Sequence, residues 1–344
     1  MIKSTSIKTD IPTNEFNHYE QTDMKVYTII VTFNGSIWIE RCLDGMRKST
    51  ILSNIIIVDN NSTDNTVYII KTFYPEVMLI ESKVNAGFGK ANNIGIAAAL
   101  KKGADYFFLL NQDARIFPNT LQTLIDANKK HPEYLALSPV HLDGTAKKMD
   151  YNFIRYIKNS DKFISDISIA ATAVDEVCPL PFINAAFWLL SKECILRIGG
   201  FDPLYKHYGE DEDYIHRINY HGYKIGFCPA VFGAHDRNQL PLPFHQLSGE
   251  KRFNRHYKNY MIDLKNINQS FSLCIFIVFK KISIQFITSL YRLKFHNCLV
   301  EIKAALYLSL QINKVLRHRS LIKSEGPAFL ENFQNLFNKK VNFN

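Results

Sequence analysis

Several patterns that would assign a class at once are missing from this sequence. Its six cysteines form no CxxC pair, which argues against a zinc knuckle or a thioredoxin-type site and indicates buried, reduced thiols. Proline and glycine are few, 12 and 15 among 344 residues, which excludes a fibrous or low-complexity chain. With 47% apolar residues, the sequence is typical of a globular protein that buries a large core without cross-links.

Long apolar segments are also scarce. Residues 1–24 are a polar lead-in, so we expect no cleaved signal peptide and a cytoplasmic protein. The stretch from Phe271 to Leu290 is mostly apolar, but Lys280 and Lys281 interrupt it near its middle, which argues against a membrane-spanning helix. We interpret it as part of a basic amphipathic region that lies on a membrane surface or docks on the rest of the chain.

Excess positive charge is absent from the first 240 residues. Residues 241–344 carry 16 Lys and Arg against 5 Asp and Glu, a net charge of +11, whereas the remainder has a net charge of −2. This asymmetry indicates an anionic partner, either a membrane surface or a nucleic acid. The nucleic-acid alternative is supported by aromatic residues among these lysines and arginines, namely Phe253, Tyr257 and Tyr260. No nucleic-acid-binding motif is present, however, so we expect no nucleic acid as a partner.

The first half of the chain alternates between apolar runs and helical patterns. This alternation predicts an α/β fold with an open, mostly parallel sheet and flanking helices, whose ligands bind at the carboxyl ends of the strands. A later strand at Tyr223–Phe227 is expected to lead into a loop that holds His235, and the basic region is expected to be mainly helical. The early strands are predicted at Val26–Phe33, Ile55–Val58, Val77–Glu81 and Tyr106–Leu110, with helices at Ile37–Arg47, Asn65–Phe73 and Phe88–Lys101.

Polar residues follow these strands at the predicted ligand edge. Asp59 could accept hydrogen bonds from a ribose or a base, or form an Asx-turn, and Asp113 could bind a divalent cation or cap a turn. Gly87 and Gly89 open a helix and permit a ligand to approach its first backbone amides. Their run is neither a GxGxxG fingerprint nor a Walker loop, so nicotinamide and P-loop functions lose their main support.

Two further features carry chemistry. Residues 210–213 read Glu-Asp-Glu-Asp, and such crowded carboxylates raise one another's pKa, which suits an acid or base near neutrality. A solvated helix N-terminus would explain the same cluster, because the helix dipole favours acids there. His235 is either a metal ligand or a surface histidine.

The order of these motifs resembles glycosyltransferase family 2, inverting enzymes of the GT-A fold, and within it the rhamnosyltransferase-like branch. The resemblance covers residues 25–236 and rests on five motifs in order: strand–Thr-Phe-Asn, strand–Asp-Asn-Asn-Ser-Thr-Asp, Asn-Ala-Gly-Phe-Gly-Lys-Ala-Asn-Asn, strand–Asn-Gln-Asp, and Gly-Glu-Asp-Glu-Asp with a downstream His. It implies a catalytic domain at 25–240, with a nucleotide-sugar half at 25–115 and an acceptor half at 116–240, followed by the basic region at 241–344.

The resemblance also implies roles for single residues. Asp211 would be the base that deprotonates the acceptor hydroxyl, and Asp113 would bind Mg²⁺ or Mn²⁺, with His235 joining it or the diphosphate. Asn111 stands where many members have Asp, which weakens the cation site. The nucleotide-sugar pocket would be lined by Thr32, Asn34, Asp59, Asn61, Gly87, Asn92 and Gln112. The acceptor site would be supported by Glu210, Asp213 and Arg217, the last paired with a phosphate or with Asp213.

The expected partners follow from the same resemblance. The donor would be dTDP-rhamnose or a UDP-hexose, and the acceptor a glycan or a lipid-linked glycan of the cell surface. The basic C-terminal region would then hold the enzyme at the inner face of the plasma membrane. A nucleotide-sugar-binding protein without activity is the remaining alternative.

Overall fold

The computed structural model describes residues 24–158, 176–206, 208–236, 247 and 249–330. Most of the predicted polar lead-in, and the predicted domain boundary at residue 240, lie outside the described residues. The described chain forms one nine-stranded sheet flanked by helices, followed by three long helices. The predicted α/β class with an open sheet and a helical C-terminal region is confirmed.

The first four strands form the parallel half of the sheet, in the order β3-β2-β1-β4. Their sequences are continuous apolar runs because helices cover both faces of such a sheet. Glycine in α3 permits close packing, since a Cβ atom at Gly95 would overlap Ile29 of β1. The elements are β1 (Val26–Thr32), α1 (Ile39–Arg47), β2 (Asn54–Asp59), α2 (Thr66–Phe73), β3 (Met78–Glu81), α3 (Phe88–Lys101) and β4 (Tyr106–Asn111).

The second half of the sheet is mixed. Strand β8 pairs antiparallel with both β4 and β6, β6 pairs parallel with β9, and β5 and β7 pair antiparallel with β9. Parallel pairing is thus confined to the first four strands and to the β6–β9 pair. The elements are β5 (Ala114–Ile116), α4 (Thr120–Lys130), β6 (Tyr134–Asp143), α5 (Tyr151–Ile157), β7 (Cys178–Pro179), β8 (Phe187–Ser191), α6 (Lys192–Ile198), α7 (Glu210–Tyr220) and β9 (Lys224–His235).

Strand β9 corrects one sequence-based expectation. The predicted strand ended at Phe227 and left His235 in a loop, whereas β9 runs on and ends at His235. Pro229 lies within a register shift between β6 and β9, an irregularity in which the strand tolerates a proline. The strand then continues between β5 and β6, so the position of His235 is fixed by pairing on both sides.

Three helices follow the sheet: α8 (Gly249–Lys265), α9 (Phe271–Tyr291) and α10 (Phe295–Leu321). They pack on one another around a small core that contains Met261, Leu264, Val278 and Ala304, and Tyr205 of the sheet domain joins that core. Helix α9 contains an apolar stretch with a mean hydropathy of 1.8, and by length and composition it could cross a membrane. Only 17% of that stretch is buried inside the protein.

Candidate active site

The loop after β1 is fastened to the end of β4 by Gln112. Its amide oxygen accepts from the Phe33 N–H at 2.9 Å, and its amide nitrogen donates to the Phe33 carbonyl at 3.1 Å. These two bonds pin the backbone at the residue before Asn34. Gln112 therefore contributes to the predicted nucleotide pocket by fixing the backbone of the loop after β1.

Asp59 is braced from within the fold. Its Oδ1 accepts from the hydroxyls of Thr32 at 2.8 Å and Ser62 at 2.5 Å, and its Oδ2 accepts from the Ser62 N–H at 2.8 Å. Thr32 is fully buried and Asp59 nearly so. The carboxylate thus bonds within its own loop, to a backbone N–H three residues on rather than the two of the expected Asx-turn, and Thr32 holds Asp59 from the neighbouring strand.

Asn34 and Asn61 lie at the rim of this pocket. Both are exposed and both have positive φ, 48° and 69°, a conformation that asparagine tolerates better than most residues. The Asn34 side-chain oxygen accepts from the Thr63 N–H at 2.9 Å, and the Asn34 N–H donates to Ser62 Oγ at 2.9 Å. The loops after β1 and β2 therefore form one connected wall.

The N-terminus of α3 continues that wall. The Asn60 side chain accepts from the Ala86 N–H at 3.2 Å and donates to the Gly87 carbonyl at 3.3 Å, which ties the β2 loop to the start of α3. Gly87 has a φ of 87°, and a Cβ atom there would overlap the Lys206 carbonyl, so glycine is required. Asn92 is buried and donates to the Phe88 carbonyl at 3.0 Å, inside the helix.

The strand ends of β4 and β9 bring Asp113 and His235 together. His235 Nε2 lies 3.2 Å from Asp113 Oδ1 and 3.4 Å from Asn111 Nδ2. Among the described residues, Asn111 Oδ1 is buried without a hydrogen-bond partner in the protein. The pair predicted to hold a metal ion is thus adjacent, although it is separated by 122 positions in the sequence.

Asp236 lies next to this pair and was not predicted. It forms an ion pair with Arg41 at 2.7 Å, and its N–H donates to the Asp113 carbonyl at 2.7 Å. The only signal in the sequence was its place directly after His235. This backbone bond helps to fix the position of Asp113 against the end of β9.

The acidic run forms the first turn of α7. Glu210 is buried, and this burial, reinforced by the neighbouring Asp211 carboxylate, raises the pKa of Glu210 to about 8. Asp211 is partly exposed, and its Oδ1 accepts from the Glu212 N–H at 3.0 Å. With this pKa, Glu210 is mostly protonated at neutral pH.

The start of α7 faces the start of α3. The Glu210 Cβ lies 3.6 Å from the point where a Cβ atom on Gly89 would be, so these two helix N-termini touch. The strand-end loops, the α3 N-terminus and the acidic turn therefore form one continuous edge of the molecule. This edge is the candidate active site.

Arg217 and Asp213 lie beneath this edge in the interior. Arg217 Nε donates to Asp213 at 3.1 Å, and its two terminal nitrogens donate to the carbonyls of Ile198 at 2.6 Å and Gly200 at 2.8 Å. Both side chains are at most 2% exposed. Of the two pairings left open for Arg217, the structure shows the one with Asp213.

A second ionisable group reaches Asp213 from the C-terminal helices, and sequence reasoning missed it. Lys265 Nζ lies 3.1 Å from Asp213 Oδ1 and also pairs with Asp202, while His318 Nδ1 lies 2.8 Å from Asp202 Oδ1. Burial lowers the pKa of Lys265 and raises that of Asp213 to about 6. No spacing rule links these residues, because they come from four separate segments.

Comparison with known proteins fits this geometry. N-acetylglucosaminyl-diphospho-decaprenol L-rhamnosyltransferase of Mycobacterium tuberculosis is 25% identical over 231 residues, which cover 61% of this chain and 75% of that protein. Rhamnosyltransferase WbbL of Escherichia coli is 24% identical over 220 residues, 61% of this chain and 83% of its own. The crystal structure of GalNAc-T7 with UDP, GalNAc and Mn²⁺ is similar to 72% of this chain, matching 51% of its own, with a TM-score of 0.52 and 15% identity.

The mixed nine-stranded sheet with flanking helices matches the GT-A fold. The family model of glycosyl transferase family 2 matches residues 27–193, from β1 into α6. Through these residues the chain resembles that family, and this match together with the relatives supports glycosyltransferase activity. The resemblance drawn from the sequence is confirmed.

Proposed function

We propose that this protein transfers rhamnose from dTDP-rhamnose to a hydroxyl of a glycan or lipid-linked glycan in cell-surface polysaccharide synthesis. The sugar is suggested by the relatives, two of which are named as rhamnosyltransferases. The lipid-linked acceptor is suggested by the first of these names. The observation that carries the chemistry is the partly exposed Asp211 at the start of α7, beside a buried glutamate that keeps its proton.

In the proposed reaction Asp211 removes the proton of the acceptor hydroxyl as its oxygen attacks the anomeric carbon of the donor. A single displacement from the face opposite the leaving diphosphate inverts that carbon. Glu210, protonated at neutral pH because its pKa is about 8, does not compete for the acceptor proton. The N-terminal end of α7 favours the anionic form of Asp211 through the helix dipole.

We also propose that the site uses Mg²⁺ or Mn²⁺. Asp113 and His235 would hold the ion, and the unpartnered, buried Asn111 Oδ1 beside them is consistent with an oxygen ligand. Among the described residues, no three His, Cys, Asp or Glu side chains are placed so that they could hold a metal ion together, so oxygens of the sugar donor's diphosphate would complete the coordination. When bound, the ion would offset the negative charge that gathers on the leaving diphosphate.

Thermal unfolding with a panel of ligands tests the donor and the metal. A ligand that binds the native state raises its melting temperature, so we expect a Mn²⁺-dependent rise with dTDP and dTDP-rhamnose, and none with NAD. Asp113→Asn should lose the Mn²⁺-dependent part of the rise. A rise with UDP alone would replace the donor by a UDP-hexose, and no rise with any diphosphate would refute the proposal.

The role of Asp211 is tested by exchanging one acid at a time in the same helix turn. Asp211→Asn should abolish transfer, a loss of at least about 100-fold as expected for a general base, and should leave the dTDP-induced rise in melting temperature unchanged. Glu212→Gln is the matched control, because it removes a neighbouring carboxylate that the mechanism does not use. Equal losses in both variants would show that the acidic turn acts only through its charge, and would refute the assignment.

A further inference from the structure

The outward faces of α9 and α10 are apolar although nothing described packs on them. On α9 these side chains include Phe276, Phe279 and Ile287, and on α10 Leu299, Leu306 and Leu310. Phe279 is 68% exposed and Leu310 is 75% exposed. On each helix the exposed apolar residues recur mainly at intervals of three or four, which places them on one side. We call the surface that these six side chains form the outer face of the hairpin.

The opposite sides of the same helices already have partners. Cys274 and Val278 of α9, and Val300 and Ala304 of α10, are buried in the core that these helices share with α8. Helix α9 is therefore apolar on its packed side and on its exposed side. A helix that is apolar all round is typical of a protein interior or of a lipid environment, and the outer face has no interior to enter.

The exposed charge on the hairpin has one sign. Glu301 is the only acid in residues 271–321, and it is fully buried. Seven bases of the same segment are exposed: Lys280, Lys281, Arg292, Lys294, Lys303, Lys314 and Arg317. A hairpin with several exposed bases and no exposed acid complements an anionic surface and repels a second copy of itself.

We propose that the outer face of the α9–α10 hairpin binds an anionic lipid bilayer, with both helices lying in the plane of the interface. Its apolar side chains would enter the boundary between headgroups and acyl chains, while the lysine stems extend toward lipid phosphates. The anionic lipid headgroup is thus the ligand, and the apolar face supplies the depth of insertion. This proposal stands independently of the donor and of the transfer reaction.

An in-plane arrangement fits the contacts of α9 better than a spanning one. Lys281 pairs with Asp263 of α8 at 2.6 Å, and Lys280 and Lys281 lie near the middle of the helix. Crossing the membrane would break this ion pair and place two charges near the bilayer centre, where each is costly. In the plane of the interface, the packed side keeps its partners and the outer face alone meets lipid.

Co-sedimentation of the full chain with vesicles tests the proposal. We expect binding to vesicles of phosphatidylcholine with about one-third phosphatidylglycerol, weaker binding to phosphatidylcholine alone, and a fall in binding as salt increases. The variant Phe276→Asn/Phe279→Asn/Leu306→Asn/Leu310→Asn should partition at least tenfold less. The matched control changes four exposed apolar residues elsewhere, Leu52→Asn/Tyr68→Asn/Phe73→Asn/Leu196→Asn, and should bind like the wild type.

Several outcomes would overturn it. Absence of binding to the anionic vesicles, or an equal loss of binding in both variants, would refute lipid binding by the outer face. Wild-type protein that resists extraction from the vesicles by alkaline carbonate would show a spanning helix instead. If the wild type is a dimer in solution and the outer-face variant is a monomer, a second copy of the chain covers the outer face instead. The dTDP-induced rise in melting temperature, measured on the same variants, reports separately on the proposed transfer function.

Discussion

Arg217→Met separates a structural arginine from one that binds the donor. The guanidinium makes three hydrogen bonds in the interior, to Asp213 and to the carbonyls of Ile198 and Gly200, and the side chain is 1% exposed. Methionine replaces the aliphatic stem of the arginine and has no hydrogen-bond donor, so the substitution removes these three bonds while keeping most of the apolar packing. The expected result is a loss of stability with no direct effect on nucleotide binding.

The magnitude follows from what is left behind. Two buried carbonyls lose their donors, at about 1–3 kcal/mol each, and breaking a buried ion pair costs about 3–5 kcal/mol. These costs overlap, because Asp213 keeps Lys265 as a partner at 3.1 Å and can take up a proton. We therefore expect a total loss of about 3–5 kcal/mol, a large share of the 5–15 kcal/mol that stabilises a typical domain.

Urea unfolding followed by tryptophan fluorescence measures this loss, since Trp188 is buried and its ring centre lies 5.6 Å from that of Tyr214 in the same region. Arg197→Met is the matched control: this arginine also pairs with carboxylates, those of Glu193 and Glu325, but it is 39% exposed, so this variant should lose far less stability than Arg217→Met. An Arg217→Met protein of wild-type stability that no longer responds to dTDP would refute the reasoning.

Two further predictions concern pH and packing. The folded-state pKa of Glu210, about 8, lies above its ordinary 4.5, so folding takes up a proton between these values and the wild type loses stability as pH rises from about 5 to about 8. Glu210→Gln should lack this part of the slope when melting temperatures are compared across that range, and an unchanged slope would contradict the assignment. Gly95→Ala should lower the free energy of unfolding in urea by about 1–3 kcal/mol, because the new methyl group overlaps Ile29. The cost of this overlap exceeds the gain of about 1 kcal/mol that alanine has over glycine in a helix. Gly326→Ala, where nothing lies within 4 Å of the new Cβ atom, is its control and should be near neutral.

The parallel half of the sheet could be predicted from the sequence because its signals are local. Helix α3 has the bounds that its alanine-rich pattern predicted, Phe88–Lys101, and β1 differs by one residue from the apolar run that indicated it. A buried parallel strand needs an uninterrupted apolar run, and its ligand edge needs polar residues directly after that run. The strand-end residues of the site were found for the same reason.

The rest of the site depends on pairings between distant segments. Strand β9 extends to His235 because it pairs with β5 on one side and β6 on the other. The sequence after Phe227 contains no local pattern that predicts either pairing. Asp59 also shows the limit of a single residue: its position was predicted, but whether its oxygens accept bonds from a ligand or from Thr32 and Ser62 depends on how the loops fold. The four-residue spacing of Asp213 and Arg217 was a local signal for the pairing that the structure shows.

The buried charges under the acidic turn connect the two surfaces proposed above. Lys265 ends α8, and His318 lies near the end of α10, so both belong to the helices that present the outer face of the hairpin. Asp213 lies two residues after Asp211 on α7, and Asp202 joins the three. Burial lowers the pKa of His318 to about 4, and its Nδ1 lies 2.8 Å from Asp202 Oδ1. Apolar residues could fill such a space with equal stability, but ion pairs accept few relative orientations of the segments that carry them. We therefore expect this network to hold α7 in one orientation to the hairpin. A bilayer bound at the outer face would then lie at a fixed angle to Asp211, the residue proposed to act on a lipid-linked acceptor.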